Sequence, residues 1–483
     1  MKRRAAVGQR YYEADHDIKH CRFFYFNDDD KIIEDKYRAN VKISHPFFTE
    51  LVDQLPPYML SFKENPIRAK ENIEGLQEHL DSYFDARFWA EIGDLIAGAY
   101  TKGFEYLYAL KNEDNRLVFE CADSMGVVEV RAKDTDDGCK YIIYWYIDRI
   151  DKGKKTIKRI QVWGEKDVSF YVQSGNGRIV KDESETINPR PHVVFTDPET
   201  KKKMGKGLGY IPFWRLDNNK KRFSGLKPIK DLIDDYDRMQ CGLSNNLVDF
   251  DLPLYVVNGF EGDNLDKLQH NLKTKKIIGI PDAEGGVTVN TVNIPYEARR
   301  AKAEDDEKNI YRFGMGLNTL GLKDSNATTN MMIRAAYSLL EMKASNLTKR
   351  LEALLDSVIE IVLDEINAEN KTAFKCADVE ICFERSTPAN EKENADIEKV
   401  KAETRKTEIE TILEIAAYIG DDETLKSICD VLDLDYKEVK SAIEREAENS
   451  LENAKMALDN IPVENQGDVI EQATENSTNA IPE

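Results

Sequence analysis

The chain has 483 residues, 41% of them apolar, enough for roughly two or three compact units with a sizeable core. A formal net charge of −21 argues against a tight, sequence-independent DNA binder, which would need a basic face, yet it leaves room for a surface that DNA slides past. No apolar run is long enough to cross a bilayer, and Met1-Lys2-Arg3-Arg4 lacks the apolar stretch of a secretory signal, so a cytosolic setting is expected.

Residues 1–26 mix cations (Arg3, Arg4, Arg10, Lys19, Arg22) with rings (Tyr11, Tyr12, Phe23, Phe24, Tyr25, Phe26). Such a mixture suits nucleic acid, where rings stack on bases, and it suits an arm docked on a neighbouring subunit; the second is expected here. His16 and His20 are one helical turn apart beside Asp15 and Cys21. Two further firm zinc ligands at motif spacing are missing, so a solvated pair is expected. Phe47, Phe48, Leu51, Val52 and Leu55 predict a helix within 46–62, broken at Pro56-Pro57. Leu76, Leu80, Phe84, Phe88, Ile92, Leu95, Ile96, Ala99 and Tyr100 form a stripe that makes 73–109 mostly helical, with Gly103 as its end.

Over 104–195 the period falls to two. Tyr106-Leu107-Tyr108, Leu117-Val118-Phe119, Val127 to Val130, Tyr141 to Tyr146, Arg159 to Trp163 and Val168 to Val172 read as strands. Asp136-Asp137-Gly138 and Gly175-Asn176-Gly177 punctuate them, which predicts one antiparallel sheet packed on the preceding helices. No His-Glu-x-x-His, Gly-x-Ser-x-Gly or recognisable carboxylate pair accompanies them. Gly205-Lys206-Gly207-Leu208-Gly209 is not a phosphate loop and is expected to be a flexible turn.

Residues 211–226 lead into a helix striped by Leu226, Ile229, Leu232, Ile233, Tyr236, Met239, Leu243 and Leu247. Pro228 falls in its first turn, and it ends near Phe250. A small insertion at 253–295 follows, with strands at Leu254 to Val257, Lys276 to Ile280 and Val287 to Val289 and a short helix at 263–272. The next helix, 297–313 with Gly314 as its end, is nearly polar all round: Arg299, Arg300, Lys302, Glu304, Asp305, Asp306, Glu307, Lys308. A helix of that kind spans solvent between domains or leans on partner chains, which is a physical hint of an oligomer. Gly314-Met315-Gly316 fails as a dinucleotide motif because no strand precedes it.

A polar loop then spans 317–329, and a stretch without Gly or Pro over 330–369 predicts one helix of roughly 55 Å. Its stripe is Met332, Ala335, Ala336, Leu339, Leu347, Leu351, Leu354, Leu355, Val358, Val362 and Ile366. Period alone makes it a core helix or half of a coiled coil. Residues 376–385 read as one strand with Cys376 and Cys382 on the same face. The seven cysteines, odd in number and without Cys-x-x-Cys, are expected to be reduced core thiols. Residues 390–449 read as helical, striped by Ile409, Ile412, Leu413, Ile415 and Ala416, then by Leu425, Ile428, Val431 and Leu432, with breaks at Gly420 and Asp433. Acid dominates from Glu444, and a disordered tail is expected from Ile461. The fold class is α+β, mainly helical.

The order helix, small α/β insertion, polar helix, loop, long helix resembles the portal proteins of tailed double-stranded-DNA bacteriophages, of the siphovirus type. Tyr11-Tyr12 with Asp17-Ile18 resembles that family's N-terminal opening. Phe47-Phe48, Leu51-Val52-Asp53 and Tyr58-Met59-Leu60 are similar to its first wing helix. Ile211-Pro212, Asn218-Asn219, Ser224-Gly225-Leu226 and Asp231 to Asp237 are similar to the run that opens its stem.

The resemblance implies a wing (1–224), a first stem helix (225–250), a clip (251–295), a second stem helix (296–316), a tunnel loop (317–329), a long wing helix plus strand (330–388), a helical crown (389–460) and an acidic tail (461–483). It implies a ring, a dodecamer, at one capsid vertex of the virion, assembled in the host cytoplasm. Double-stranded DNA is packaged and ejected through it, and it carries no catalytic residue, metal, cofactor or membrane contact. Partners implied are the terminase large subunit, major capsid and scaffolding proteins, and a head–tail adaptor. DNA-facing loop residues would be Asn318, Thr319, Lys323, Asp324, Ser325 and Asn326. Stem channel residues would be Arg299, Arg300, Lys302, Glu304 and Lys308, and clip docking residues Asp263, Asp266, Lys267, His270 and Lys273. Two rivals are a metal-dependent nucleic-acid-processing enzyme, for which no ligand cluster is found, and a cytosolic helical scaffold.

Overall fold

The structure, a computed structural model, describes residues 1–26, 29–36, 38–70, 73, 75–112, 116–131, 139–196, 203–250, 254–258, 286–290, 295–318, 330–385, 391–432, 434–443 and 445. Two compact units are distinguished, Met1–Pro388 and Ala389–Glu483. The first begins with α1 (Lys2–Tyr12), whose Ala5, Gly8 and Tyr11 are buried. A Cβ at Gly8 would sit 2.0 Å from the carbonyl oxygen of Thr101, so glycine permits this close approach. Residues 2–12 therefore complete the chain's own core, contrary to the expected arm on a neighbour. Exposed rings remain at β1 (Phe24–Phe26), which pairs with β2 (Ile32–Glu34).

The expected helix within 46–62 is two helices, α2 (Phe47–Asp53) and α3 (Leu55–Met59), parted at Gln54. Pro56 and Pro57 occupy the first turn of α3 instead of breaking a helix, because N–H groups there have no intrahelical partner. After β3 (Ile67–Ala69) and α4 (Leu76–Tyr83) comes α5 (Ala86–Lys102), capped by the Asp85 side chain accepting from Phe88 N at 2.9 Å. Gly103 ends α5 at φ +97°, a left-handed turn that glycine takes without strain.

The six strands predicted between Tyr106 and Val172 fall into two sheets, not one. β4 (Phe104–Lys111) is central between β5 (Leu117–Ala122) and a later strand, β14 (Phe213–Asp217). Leu107, Ala109, Leu117 and Phe119 face the helices, while Phe104, Tyr106 and Tyr108 face the second sheet. That sheet runs through β6 (Val127–Arg131), β7 (Cys139–Asp151), β8 (Lys155–Trp163), β9 (Asp167–Ser174) and β10 (Ile179–Lys181), with β11 (Arg190–Pro191) on β9. β12 (Val193–Thr196) pairs with β13 (Lys203–Lys206). Gly205, expected in a flexible turn, lies in β13, where a Cβ would come 2.2 Å from the Pro191 ring.

A turn at 225–229 contains Pro228 and precedes α6 (Lys230–Phe250), so the helix starts later than the stripe suggests. β15 (Leu254–Asn258) pairs antiparallel with β16 (Gly286–Asn290), and α7 (Tyr296–Gly314) follows. The long helix is α8 (Asn330–Asn370), 41 residues or about 60 Å. Its Leu351, Leu355, Val358, Val362 and Ile366 are fully buried, and each such side chain stabilises by roughly 1.5–3 kcal/mol. Its first turns are different: Met331 and Met332 are exposed. Cys376 starts a 3₁₀ turn and Cys382 follows β17 (Val379–Ile381), so the two do not share a strand face. All seven cysteines are free; Cys241 and Cys429 are buried, whereas Cys376 is exposed rather than in the core.

In the second unit α9 (Glu391–Ile419) meets α10 (Asp421–Leu432) through Gly420 at φ +84°. Leu413 and Ile415 of the predicted stripe are exposed on α9, as is Tyr418 beyond it. The predicted turn at 136–138, helix at 263–272, strand at 276–280, break at Asp433 and tail from 461 lie outside the described residues.

Candidate functional site

α6 and α7 pack side by side in opposite directions. Lys302 of α7 bridges Asp235 of α6 at 2.7 Å and Asp306 one turn on. Arg299 lies over Gly242, where a Cβ would come 2.6 Å from its Nη1. Arg300 pairs with Glu304 at 2.8 Å on the exposed face. Along α7 five cations stand against five carboxylates, so the charge of that helix balances.

One end of the pair is sunk into the core. Asp237 of α6 is fully buried and hydrogen-bonds both His16 Nδ1 (2.6 Å) and His45 Nδ1 (2.8 Å). Burial alone would raise the Asp237 carboxyl, yet the two histidines and the His45 backbone N–H hold it below the usual carboxylate range. His16 is thus a buried partner, not half of a solvated pair; His20 alone is exposed, bonded to Asp15 at 3.1 Å. Backbone N–H groups of Ala39 and Val41 donate to Asp249 and Asn245 at 2.9 and 2.7 Å, strapping this segment along α6.

The C-terminal turns of α7 are fixed the same way. Ile310 and Tyr311 are buried, and the Tyr311 hydroxyl donates to Glu50 at 2.6 Å. Gly314 is the last helical residue and Met315 makes the left-handed turn at φ +52°. The two flanking glycines are needed for approach: Cβ atoms at Gly314 and Gly316 would sit 2.6 and 2.0 Å from the Leu51 methyls. Gln54 then brackets Leu317, accepting from its N–H at 2.9 Å and donating to its carbonyl at 3.0 Å. The polar loop therefore leaves a rigid root.

An antiparallel helix pair, a two-stranded sheet, a pinned loop root and a long helix thus occur in one stretch of the chain. A family profile described as "Phage portal protein, SPP1 Gp6-like" matches residues 1–456. The chain belongs to this phage portal family. The portal protein of Bacillus phage SPP1 is 23% identical over 347 residues, 72% of this chain and 67% of that protein. The portal protein of Clostridium phage phiCD119 is 24% identical over 377 residues, 74% of this chain and 78% of that protein. Its role is that of a portal, or connector, of a phage.

In this portal chain Arg299, Arg300, Lys302, Glu304 and Lys308 share α7, with Arg299 half-buried and the other four exposed. Asn318 is half-buried at the loop root. Thr319, Lys323, Asp324, Ser325 and Asn326 lie outside the described residues, as do Asp263, Asp266, Lys267, His270 and Lys273. Among the described residues no group of three or more His, Cys, Asp or Glu side chains is arranged to hold a metal, and no helix is long and apolar enough to cross a membrane.

Sequence reasoning missed the anchors. Asp237 stands four residues after the buried Ile233, and Lys343 stands four residues before the buried Leu347. A charged residue at a core position of an apolar stripe was the available signal. Lys343 Nζ donates to the carbonyls of Gly314 (3.3 Å) and Leu51 (3.4 Å), and burial pushes its amine down to about 7.

Proposed function

We propose that copies of this chain close into a ring, a dodecamer, around a channel at one capsid vertex, and that double-stranded DNA enters and leaves through its axis. In this reading residues 1–224 form the wing, α6 and α7 the two stem helices, 251–295 the clip, 317–329 the tunnel loop, α8 the long wing helix and 389–460 the crown. The observation that carries the reading is α7: its last turns are sunk in the chain's core, while Tyr296, Arg300 and Lys302 stand outside it. A helix half rooted and half uncovered suits a wall built by many copies, with heterologous contacts that close on themselves.

Paired charges on α7 suit a conduit, since a wall of matched sign does not grip phosphates. Lys323 would touch the passing backbone and Asp324 beside it would limit the attraction. The clip, through Asp263, Asp266, Lys267, His270 and Lys273, would dock the terminase large subunit and later the head–tail adaptor; the wing would meet capsid and scaffolding proteins. The chain acts here as structure and not as a catalyst, and the ATPase is a separate protein.

Removing the chain from the phage that encodes it tests the reading. Capsids without packaged DNA are expected, and DNA-filled capsids would refute it. For the loop, Lys323→Ala and Lys323→Glu particles should package or retain less DNA; parental behaviour in both would end that residue's role. Deleting residues 263–272 should leave rings that no longer bind the packaging motor.

A further inference from the structure

Where α8 crosses the end of α7 and the turn before α6, a cleft of about 600 Å³ opens to solvent. Its lining includes three cations, Lys227, Lys343 and Arg350, with the amides of Asn218 and Asn219, and among the described residues no carboxylate. That is unusual in a chain with 89 acidic and 68 basic residues. Lys343 lies at the floor, only 9% exposed, over the Tyr100 ring at 4.5 Å. Lys227 and Arg350 are exposed at the rim.

Among the described residues Lys343 has no ion-pair partner: two long hydrogen bonds to carbonyls and the face of the Tyr100 ring are what hold it. A buried ammonium without a counter-ion is costly, and its burial is the cause of the lowered amine pKa. The cleft beside it is the route by which an anion could reach it. Double-stranded DNA fits poorly, because its phosphates ride on a stiff, wide rod that cannot enter a recess. A carboxylate on a flexible side chain can enter, and other copies of this acidic chain offer many.

We propose that this cleft receives a carboxylate-bearing segment of a second copy of the chain, which supplies the counter-ion that Lys343 lacks. The site is incomplete in one copy and complete in an assembly. The proposal rests on the ring reading above and names where one contact of that ring is made. It separates two quantities that a purely structural lysine would couple. Replacing Lys343 by an apolar residue of similar length removes a charge that destabilises the lone chain, yet weakens the contact between chains.

The test compares wild type with Lys343→Met, Lys227→Glu and Arg350→Glu. Assembly is followed by mass photometry over protein concentration, and stability by thermal unfolding of the dissociated chain. Lys343→Met should unfold at a higher temperature than wild type while needing at least about tenfold more protein to assemble. The two rim reversals should leave unfolding unchanged and weaken assembly, so they decide the matter even if Lys343→Met fails to fold. Rings that form in all three variants as in wild type would overturn the cleft and leave the ring standing. Wild type that stays monomeric at every concentration would overturn the ring, and the cleft with it. Loss of stability and assembly together in Lys343→Met, with unaltered rim variants, would assign Lys343 to packing alone. Capture of a short DNA duplex by the cleft, lost in Arg350→Glu with assembly unmoved, would also contradict the proposal.

Discussion

The two ends of the α6–α7 pair differ in what holds them. At one end Asp237, Ile310 and Tyr311 are buried, with Asp237 bonded to His16 and His45 and Tyr311 to Glu50. At the other, Leu247, Val248 and Tyr296 are exposed and the ion pair of Arg300 with Glu304 faces solvent. One chain thus fixes the direction in which the pair projects, straps residues 39–41 along one side of its far half, and leaves Leu247, Val248 and Tyr296 for something else to cover. The difference separates residues that set geometry from residues that meet partners, and substitutions at the two ends should behave accordingly.

The largest effect is expected at Asp237. Asp237→Ala strands a buried His16 and should cost about 3–5 kcal/mol in urea unfolding of the dissociated chain. A cost near zero would mean that the buried cluster does not anchor α6. Next is Gly225→Ala, where a Cβ would meet the Tyr100 ring at 2.2 to 2.5 Å. Overpacking of this kind should cost about 1–3 kcal/mol.

A smaller effect depends on pH. Lys343 has its amine lowered to about 7 by burial, against an ordinary value of 10.5. Between those values the unfolded chain binds the proton and the folded chain releases it, so stability contributed at this site rises with pH. The penalty is full below about 7. Wild type should gain about 1 kcal/mol from this group between pH 7 and 8, a gain that Lys343→Met should lack. Matching pH profiles would show that the amine titrates normally. The smallest effect belongs to the free end: Arg300→Ala should change stability by less than about 0.5 kcal/mol. A loss of several kcal/mol there would erase the contrast between the ends.

Much of this architecture is legible without coordinates, and the failures have physical causes. α5 is readable because one face is buried and its end needs a left-handed residue, which Gly103 supplies. β4 hides the split into two sheets because both of its faces are buried, so its alternation of apolar and polar residues disappears. α7 looks polar all round although Asp306 is only 2% exposed, because a buried position here holds a carboxylate paired with Lys302 instead of an apolar side chain. α9 shows the converse, with an apolar stripe whose Leu413 and Ile415 are exposed. Period reports a helix; it does not report what covers the helix. The candidate channel residues on α7 could be named from sequence, but their anchors at His16, Asp237 and Lys343 depend on pairings across about 30 to 290 positions, as from Leu51 to Lys343.

In the proposed ring the uncovered part of the pair finds its cover in further copies of the same chain around an open axis. Electron microscopy of the purified, concentrated protein tests it most directly. Closed rings with an axial bore wide enough for a DNA duplex are expected. Images showing only compact particles without a bore, at concentrations where the chain has self-associated, would contradict it.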